Sequence, residues 1–245
     1  MKHTFLISKR IYKQLLGDKR FLGLSIIAPL LIIYCLKIVF DASGSTLLIS
    51  RYAIPIAGFI VYFLSFILCA FLIVQERNDG TLERIFVSGF RKVEIISGYT
   101  LGYLGLATLQ SIIVVTEVVL LFNLDYSYQV ILSLALVFWI LSIVSVMLGI
   151  LISTFARNEA QVFPFIPLVI LPSVFFSGLA VDVDKLPRWA DWFGHLLPVY
   201  YSNIIIFDLI KPNGKLSDNL GTLAILVLYG VILVVLASKT LKDRD

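Results

Sequence analysis

Six long apolar runs dominate this chain, and runs of that kind leave few folds open to it. A helix crossing about 30 Å of hydrocarbon at about 1.5 Å per residue needs about 20 apolar residues, and only helices and closed barrels satisfy their own backbone in lipid. The runs fall at about 21–40, 52–74, 99–122, 130–155, 162–179 and 220–237. They hold 129 of the 245 residues but only two of the 36 charged side chains, Lys37 and Glu117. Because an ion is costly to bury in hydrocarbon, charge collects in the connecting segments. With 59% hydrophobic and 15% charged residues, against roughly 45–50% and about 25% in a soluble domain, no water-surrounded core could hide this much apolar surface. The prediction is an all-α integral membrane protein with six transmembrane helices in one domain over 1–245.

Charge decides orientation and excludes other classes. If both termini are cytoplasmic, the inner segments (1–20, 75–98, 156–161, 238–245) carry 14 Lys/Arg and the outer segments, of equal total length, carry five. The positive-inside rule therefore places both termini in the cytoplasm of a multi-pass protein of the cell membrane. The run after Arg20 is too long for the apolar core of a signal peptide and reads as the first span. A net charge of +4, scattered along the chain, argues for no nucleic-acid partner, and the lipid bilayer is the expected surrounding. Cys35 and Cys69 sit at different depths, so no disulfide is expected, and two histidines supply no metal cluster.

The polar segments are the informative ones. In His3 to Arg20, Phe5, Ile11, Tyr12, Leu15 and Leu16 fall on one side at 100° per residue, opposite Lys9, Arg10, Lys13 and Arg20. That pattern suits an amphipathic helix lying in the interface, with Leu6 and Ile7 off the stripe, or else a basic flank that only fixes topology. In Gln75 to Gly98, Asn78, Asp79 and Gly80 end one helix, and Asp79 or Gly80 caps a short new one with Glu83 in its first turn. Leu82, Ile85 and Phe86 share a face of that helix, rimmed by Glu83, Arg84, Arg91 and Lys92. Physics alone leaves two readings, a docking helix for a partner's groove or a solvated loop.

The fifth run contains Pro164, Pro167 and Pro172, which suits a kinked helix beside a pathway or a tilted lipid-facing one. After it, Ala180 to Asn219 carries Trp189, Trp192, Phe193, Tyr200, Tyr201 and an Ile204–Phe207 run, a composition expected of helices dipping into the outer leaflet from a start at Pro187. Gly98, Gly102 and Gly105 allow close helix approach at the start of the third run. Lys37 and Glu117 lie at matching depth, consistent with an intramembrane ion pair or with separate snorkelling.

The ordered combination of Glu76-Arg77, Gly80-Thr81-Leu82-Glu83, Ser88-Gly89, the three prolines, Phe176-Ser177-Gly178, Leu186-Pro187-x-Trp189 and Leu197-Pro198-x-Tyr200 resembles the membrane subunits of ABC-2 type transporters. The resemblance covers nearly the whole chain. It implies that Gly80 to Phe90 is a cytoplasmic coupling helix resting on a separate ABC ATPase subunit. Glu76, Arg77, Gly80, Thr81, Leu82, Glu83, Arg84, Phe86 and Arg91 would then serve coupling. It further implies outer re-entrant helices between spans five and six. There Pro172, Phe175, Phe176, Ser177, Gly178, Tyr200 and Tyr201 would line a path or outer gate. ATP and Mg would bind the partner ATPase, with no cofactor on this chain, and the permease would pair with a second copy as a homodimer. The cargo expected of so little buried charge is amphipathic or apolar: a drug, lipid, peptide or lipid-linked glycan.

Other classes fare worse. Gly214-Lys215 is followed by Leu216, so these residues form no P-loop. A serine protease would need Ser177 and His195, but Phe175 stands where the nucleophile's upstream glycine is expected. A self-sufficient secondary transporter or channel would have to use Lys37 and Glu117, without the midplane carboxylates such carriers ordinarily carry.

Overall fold

A computed structural model describes residues 2–44, 46–181 and 183–240, and the side chains of residues 2, 3, 43, 46–50, 83, 86 and 184 fall outside that description. The helices are α1 (Lys2–Gly17), α2 (Lys19–Ser43), α3 (Thr46–Asn78), α4 (Thr81–Val87), α5 (Lys92–Leu121), α6 (Tyr128–Ser153), α7 (Phe165–Phe176), α8 (Arg188–Gly194), α9 (Pro198–Leu209) and α10 (Leu220–Thr240). Among the described residues there is no strand. Six segments are long and apolar enough to cross a membrane, one each in α2, α3, α5, α6, Glu159–Phe176 and Leu216–Thr240.

Local chemistry sets the breaks between helices. Asp18 separates α1 from α2, its carboxylate accepting from the backbone N–H of Arg20 at 3.1 Å and of Phe21 at 3.0 Å. Gly80 and Gly89, at φ +67° and +82°, adopt the left-handed turns that bracket α4, a conformation open to glycine at little cost. At the start of α5, Glu94 accepts from the Arg91 N–H at 3.0 Å.

Helix α3 is the axis of the bundle: 61% of its most apolar window is buried, against 11% for the segment containing α7. Its closest neighbour is α6, and small residues set that approach. A Cβ on Gly149 would stand 2.7 Å from the Phe66 carbonyl oxygen and 3.1 Å from Cys69 Cβ, so the two backbones nearly touch. The Ser145 hydroxyl donates to the Tyr62 carbonyl in the same seam. Of the four apolar clusters that result, two mark the ends of the bundle. One, at the end bearing the termini, joins Ile7, Ile11 and Leu15 of α1 to α3, α5 and Leu82 of α4. The other, at the opposite end, joins α2, α3, α5 and α6 to Ile205, Ile206 and Leu209 of α9.

The fifth apolar run differs from its sequence reading. Instead of one helix over 162–179, a 3-10 turn at Glu159–Gln161 is followed by the 12-residue α7, and the chain turns away at Gly178, φ +83°. Pro164 stands at the start of α7, where a missing N–H costs little, and Pro172 lies inside it.

Candidate functional site

The last turn of α3 is tied to three other helices. Glu76, 3% exposed, accepts a short hydrogen bond from the Tyr99 hydroxyl of α5 and lies 3.6 Å from Arg10 Nη2 of α1. Arg77 turns the other way, donating from Nη1 to the carbonyls of Ser153 at 3.0 Å and Ala156 at 2.7 Å. Those carbonyls end α6, where acceptors lack intrahelical partners and the helix dipole favours a cation. Neither residue of the pair is thus a free docking charge. Glu76 links α3 to α1 and α5, and Arg77 links it to α6.

Helix α4 hangs directly from this anchored turn through Gly80 and Thr81. Its apolar face is not wholly open, which corrects the expectation of an uncovered Leu82-Ile85-Phe86 face. Leu82 is buried in one apolar cluster with residues of α1, α3 and α5, against which Ile85 and Phe90 also pack. The side chains of Glu83 and Phe86 lie outside the described residues. What α4 presents outward is Arg84 and Val87, the latter 90% exposed, followed by exposed Ser88, Gly89 and Arg91.

Helix α1 belongs to the same assembly. Ile7, Ile11 and Leu15, one helical turn apart, are its buried row, whereas Phe5, Leu6, Tyr12 and Leu16 are exposed. Ile7, placed off the stripe by sequence periodicity, is therefore central. The partner of the glycines is α1: a Cβ on Gly98 would come within 2.7 Å of Ile7 Cβ, and one on Gly102 within 2.6 Å of Ile11 Cβ. At Gly105 the added atom would meet the Tyr12 ring at 2.7 Å.

The residues expected to line a path or gate gather at the opposite end, around the α7–α9 connection. Phe176 packs edge-on to Trp189 at 5.7 Å between ring centroids and lies 6.3 Å from Phe193, while Phe175 is half exposed. Ser177 is buried, and Asn203 Nδ2 donates to its carbonyl at 3.0 Å and its hydroxyl at 3.1 Å. Tyr200 stacks on His195 at 4.5 Å, and the Tyr201 hydroxyl donates to the His195 carbonyl at 2.8 Å. Ser177 and His195 thus have separate partners rather than forming a nucleophile and base. At the end of α9, Asn219 donates to Asp208 Oδ2 at 2.6 Å and Lys211 lies 3.1 Å from Oδ1. The amide bond first, and the lysine second, hold the Asp208 carboxyl below the usual carboxylate range. Among these, Arg10, Tyr99, Asn203 and Asp208 escaped sequence reasoning. Only Asn203, a lone amide beside an apolar run, carried a signal in the sequence.

Lys37 and Glu117 are not brought together. Lys37 Nζ lies 2.6 Å from Asp41 Oδ2, one turn along α2, and Glu117 Oε2 is buried without a hydrogen-bond partner. A carboxylate four residues away on the same helix is the nearer counter-ion. One polar contact that does cross the bundle is Gln110 of α5, donating to the Ser25 carbonyl at 2.7 Å and accepting from the Ser65 hydroxyl at 3.0 Å.

The sequence profile of the family described as ABC-2 type transporter matches residues 2–209. The chain belongs to this family. It is 28% identical over 177 residues to ABC transporter G family member 20 of Dictyostelium discoideum, an alignment covering 70% of this chain and 24% of that protein. It is 22% identical over 188 residues to the linearmycin resistance permease protein LnrN of Bacillus subtilis (strain 168), covering 76% and 48%. To the probable multidrug ABC transporter permease YbhR of Escherichia coli (strain K12) it is 27% identical over 148 residues, covering 59% and 39%. The chain thus spans at most 48% of the length of these relatives. Its six apolar helices and its family are those of a multi-pass membrane protein.

Proposed function

We propose that this ABC-2 permease exports an amphipathic or apolar cargo, powered by ATP and Mg bound on a separate ABC ATPase subunit that docks on α4. One observation carries the reading. A short helix sits between two left-handed glycine turns, rooted by Leu82, and presents Arg84 and Val87 outward from a turn bonded to α1, α5 and α6. Such a helix is poorly built as a solvated loop, because Val87, an apolar side chain 90% exposed, has no reason to face water. Closure of the ATPase would push α4, and the contacts of Glu76 and Arg77 would pass that displacement from α3 to three other helices. The path would open against a second copy of the permease, with the Phe175 to Gly178 and Tyr200-Tyr201 region at the outer gate. The lysine and arginine distribution supports cytoplasmic termini in a cell membrane. Two of the relatives are named for linearmycin resistance and for multidrug transport, which supports a drug-like cargo over a glycan.

The test is a mild-detergent pull-down of the tagged chain from its native membrane, with mass spectrometry of what remains bound. A stoichiometric P-loop ATPase, lost in Val87→Glu, is the expected result. A chain that emerges alone from several detergents overturns the reading.

A further inference from the structure

A cleft of 660 Å³ opens at the bundle end opposite the termini, between the α5–α6 and α9–α10 connections. That volume lies within the range of about 300–1,000 Å³ typical of ligand sites. Val130, Leu209 and Leu216 give it an apolar floor, and Asp125, Lys211 and Lys215 a charged rim. Because α5 ends at Leu121, α6 starts at Tyr128 and α10 at Leu220, the cleft lies where the apolar helices stop. In a bilayer that is the depth of the headgroups.

The rim charges are not equivalent. Lys211 is engaged by Asp208 at 3.1 Å. Asp125 and Lys215 are both exposed, and among the described residues neither forms an ion pair, with the other or elsewhere. Two opposite charges therefore line one amphipathic cleft without neutralising each other. A ligand that carries both charges and an apolar tail answers that arrangement.

We propose that the cleft seats the phosphoethanolamine headgroup of a bilayer phospholipid, its phosphate on Lys215, its ammonium on Asp125 and its acyl chains leaving over the apolar floor. The chemistry discriminates among lipids. A choline headgroup has no N–H to donate to Asp125, and a neutral glycerol headgroup leaves the Asp125 carboxylate without a cation. The proposal is independent of the transport reading, since lipid selectivity requires no ATPase.

Native mass spectrometry of the purified full chain, in detergent carrying equimolar phosphatidylethanolamine, phosphatidylcholine and phosphatidylglycerol, tests it. The wild type is expected to retain phosphatidylethanolamine over the other two. Lys215→Glu should retain about tenfold less of it, the loss expected for one charge-assisted bond. Asp125→Asn should bind the three lipids alike. Arg157→Glu, an equal charge change on the α6–α7 connection at the other end, should match the wild type. Equal retention of the three lipids by the wild type overturns the proposal, as does wild-type retention in Lys215→Glu or an equal loss in Arg157→Glu. Soluble glycerophosphoethanolamine that displaces the lipid at equal concentration also overturns it, because the acyl chains would then contribute nothing.

Discussion

Removing the Glu76 carboxylate should undock α1. Glu76 is 3% exposed, accepts from Tyr99 and lies 3.6 Å from Arg10 Nη2. A charge-assisted hydrogen bond contributes about 1.5–3 kcal/mol, and an ion pair with one partly exposed member about 0.2–1 kcal/mol. Glu76→Ala therefore costs roughly 2–4 kcal/mol, all of it in contacts that hold α1 and α5 to α3. Of this, only the Arg10 ion pair, about 0.2–1 kcal/mol, holds α1, so if α1 opens as a unit its amides should exchange hydrogen about 1.4- to 5-fold faster than in the wild type, while α6 and α9 keep their protection. Glu76→Gln keeps an acceptor for Tyr99 and loses only the charge, so its effect should be roughly half as large in free energy. The assay is peptide-resolved hydrogen exchange of the purified protein in detergent. Unchanged exchange in α1, or the same acceleration in every helix, would refute the view that Glu76 docks α1.

Gly102→Ala should also loosen α1, because its Cβ would stand 2.6 Å from Ile11 Cβ. Overpacking of about 1–3 kcal/mol predicts roughly 5- to 150-fold faster exchange there. Gly23→Ala, where nothing lies within 4 Å, should change nothing, and equal effects at the two sites would count against close packing as the cause. Val87→Glu, and Glu83→Ala with Arg84→Ala, should leave membrane insertion intact and uncouple ATP hydrolysis from transport in reconstituted vesicles; failed insertion would make α4 structural. For Asp208 the folded-state pKa is lowered, so the clip to Asn219 and Lys211 is fully formed above the unfolded value of about 3.9 and is lost as pH falls through the folded value. Exchange across 209–219, corrected for intrinsic rates, should rise on acidification in the wild type and be flat in Asp208→Asn. Identical profiles in the two proteins would remove Asp208 as the group responsible.

The six apolar helices were legible because burying charge in lipid is so costly that one rule, counted over about 20 residues, outweighs local detail. Detail failed where a neighbour rather than the solvent decided. Periodicity shows that Leu82 shares an apolar face but not what covers it, and here a cluster with residues of α1, α3 and α5 does. Ile7 was misplaced for the same reason: α1 has protein along one row and open surface along another, so a single apolar stripe is the wrong template. The Lys37 and Glu117 pairing was drawn from depth alone, and depth does not choose between a neighbour on another helix and Asp41 one turn away. The fifth run read as one helix because its composition is uniformly apolar, although Pro164 and Gly178 already marked where α7 begins and the chain turns.

The two apolar clusters limit how a push on α4 could reach the far end. Among the helices with buried residues in the cluster of Leu82, α3, α5 and α6 also bury residues in the cluster that holds Ile205, Ile206 and Leu209 of α9. These three helices, with α10, which packs on both α6 and α9, connect the two ends. Midway, Gln110 ties α5 to Ser25 of α2 and Ser65 of α3, and Ser145 of α6 bonds the Tyr62 carbonyl of α3. Such bonds contribute only about 0.6 kcal/mol each on average as glue, yet a buried polar group left unpaired in hydrocarbon costs several kcal/mol. Sliding one helix past another would break them, whereas tilting the helices together about the close seam at Gly149 would not. A push on α4 would therefore tilt these helices together rather than slide one past another. The lightly packed α7, bounded by Pro164 and Gly178, is the element freest to move in response.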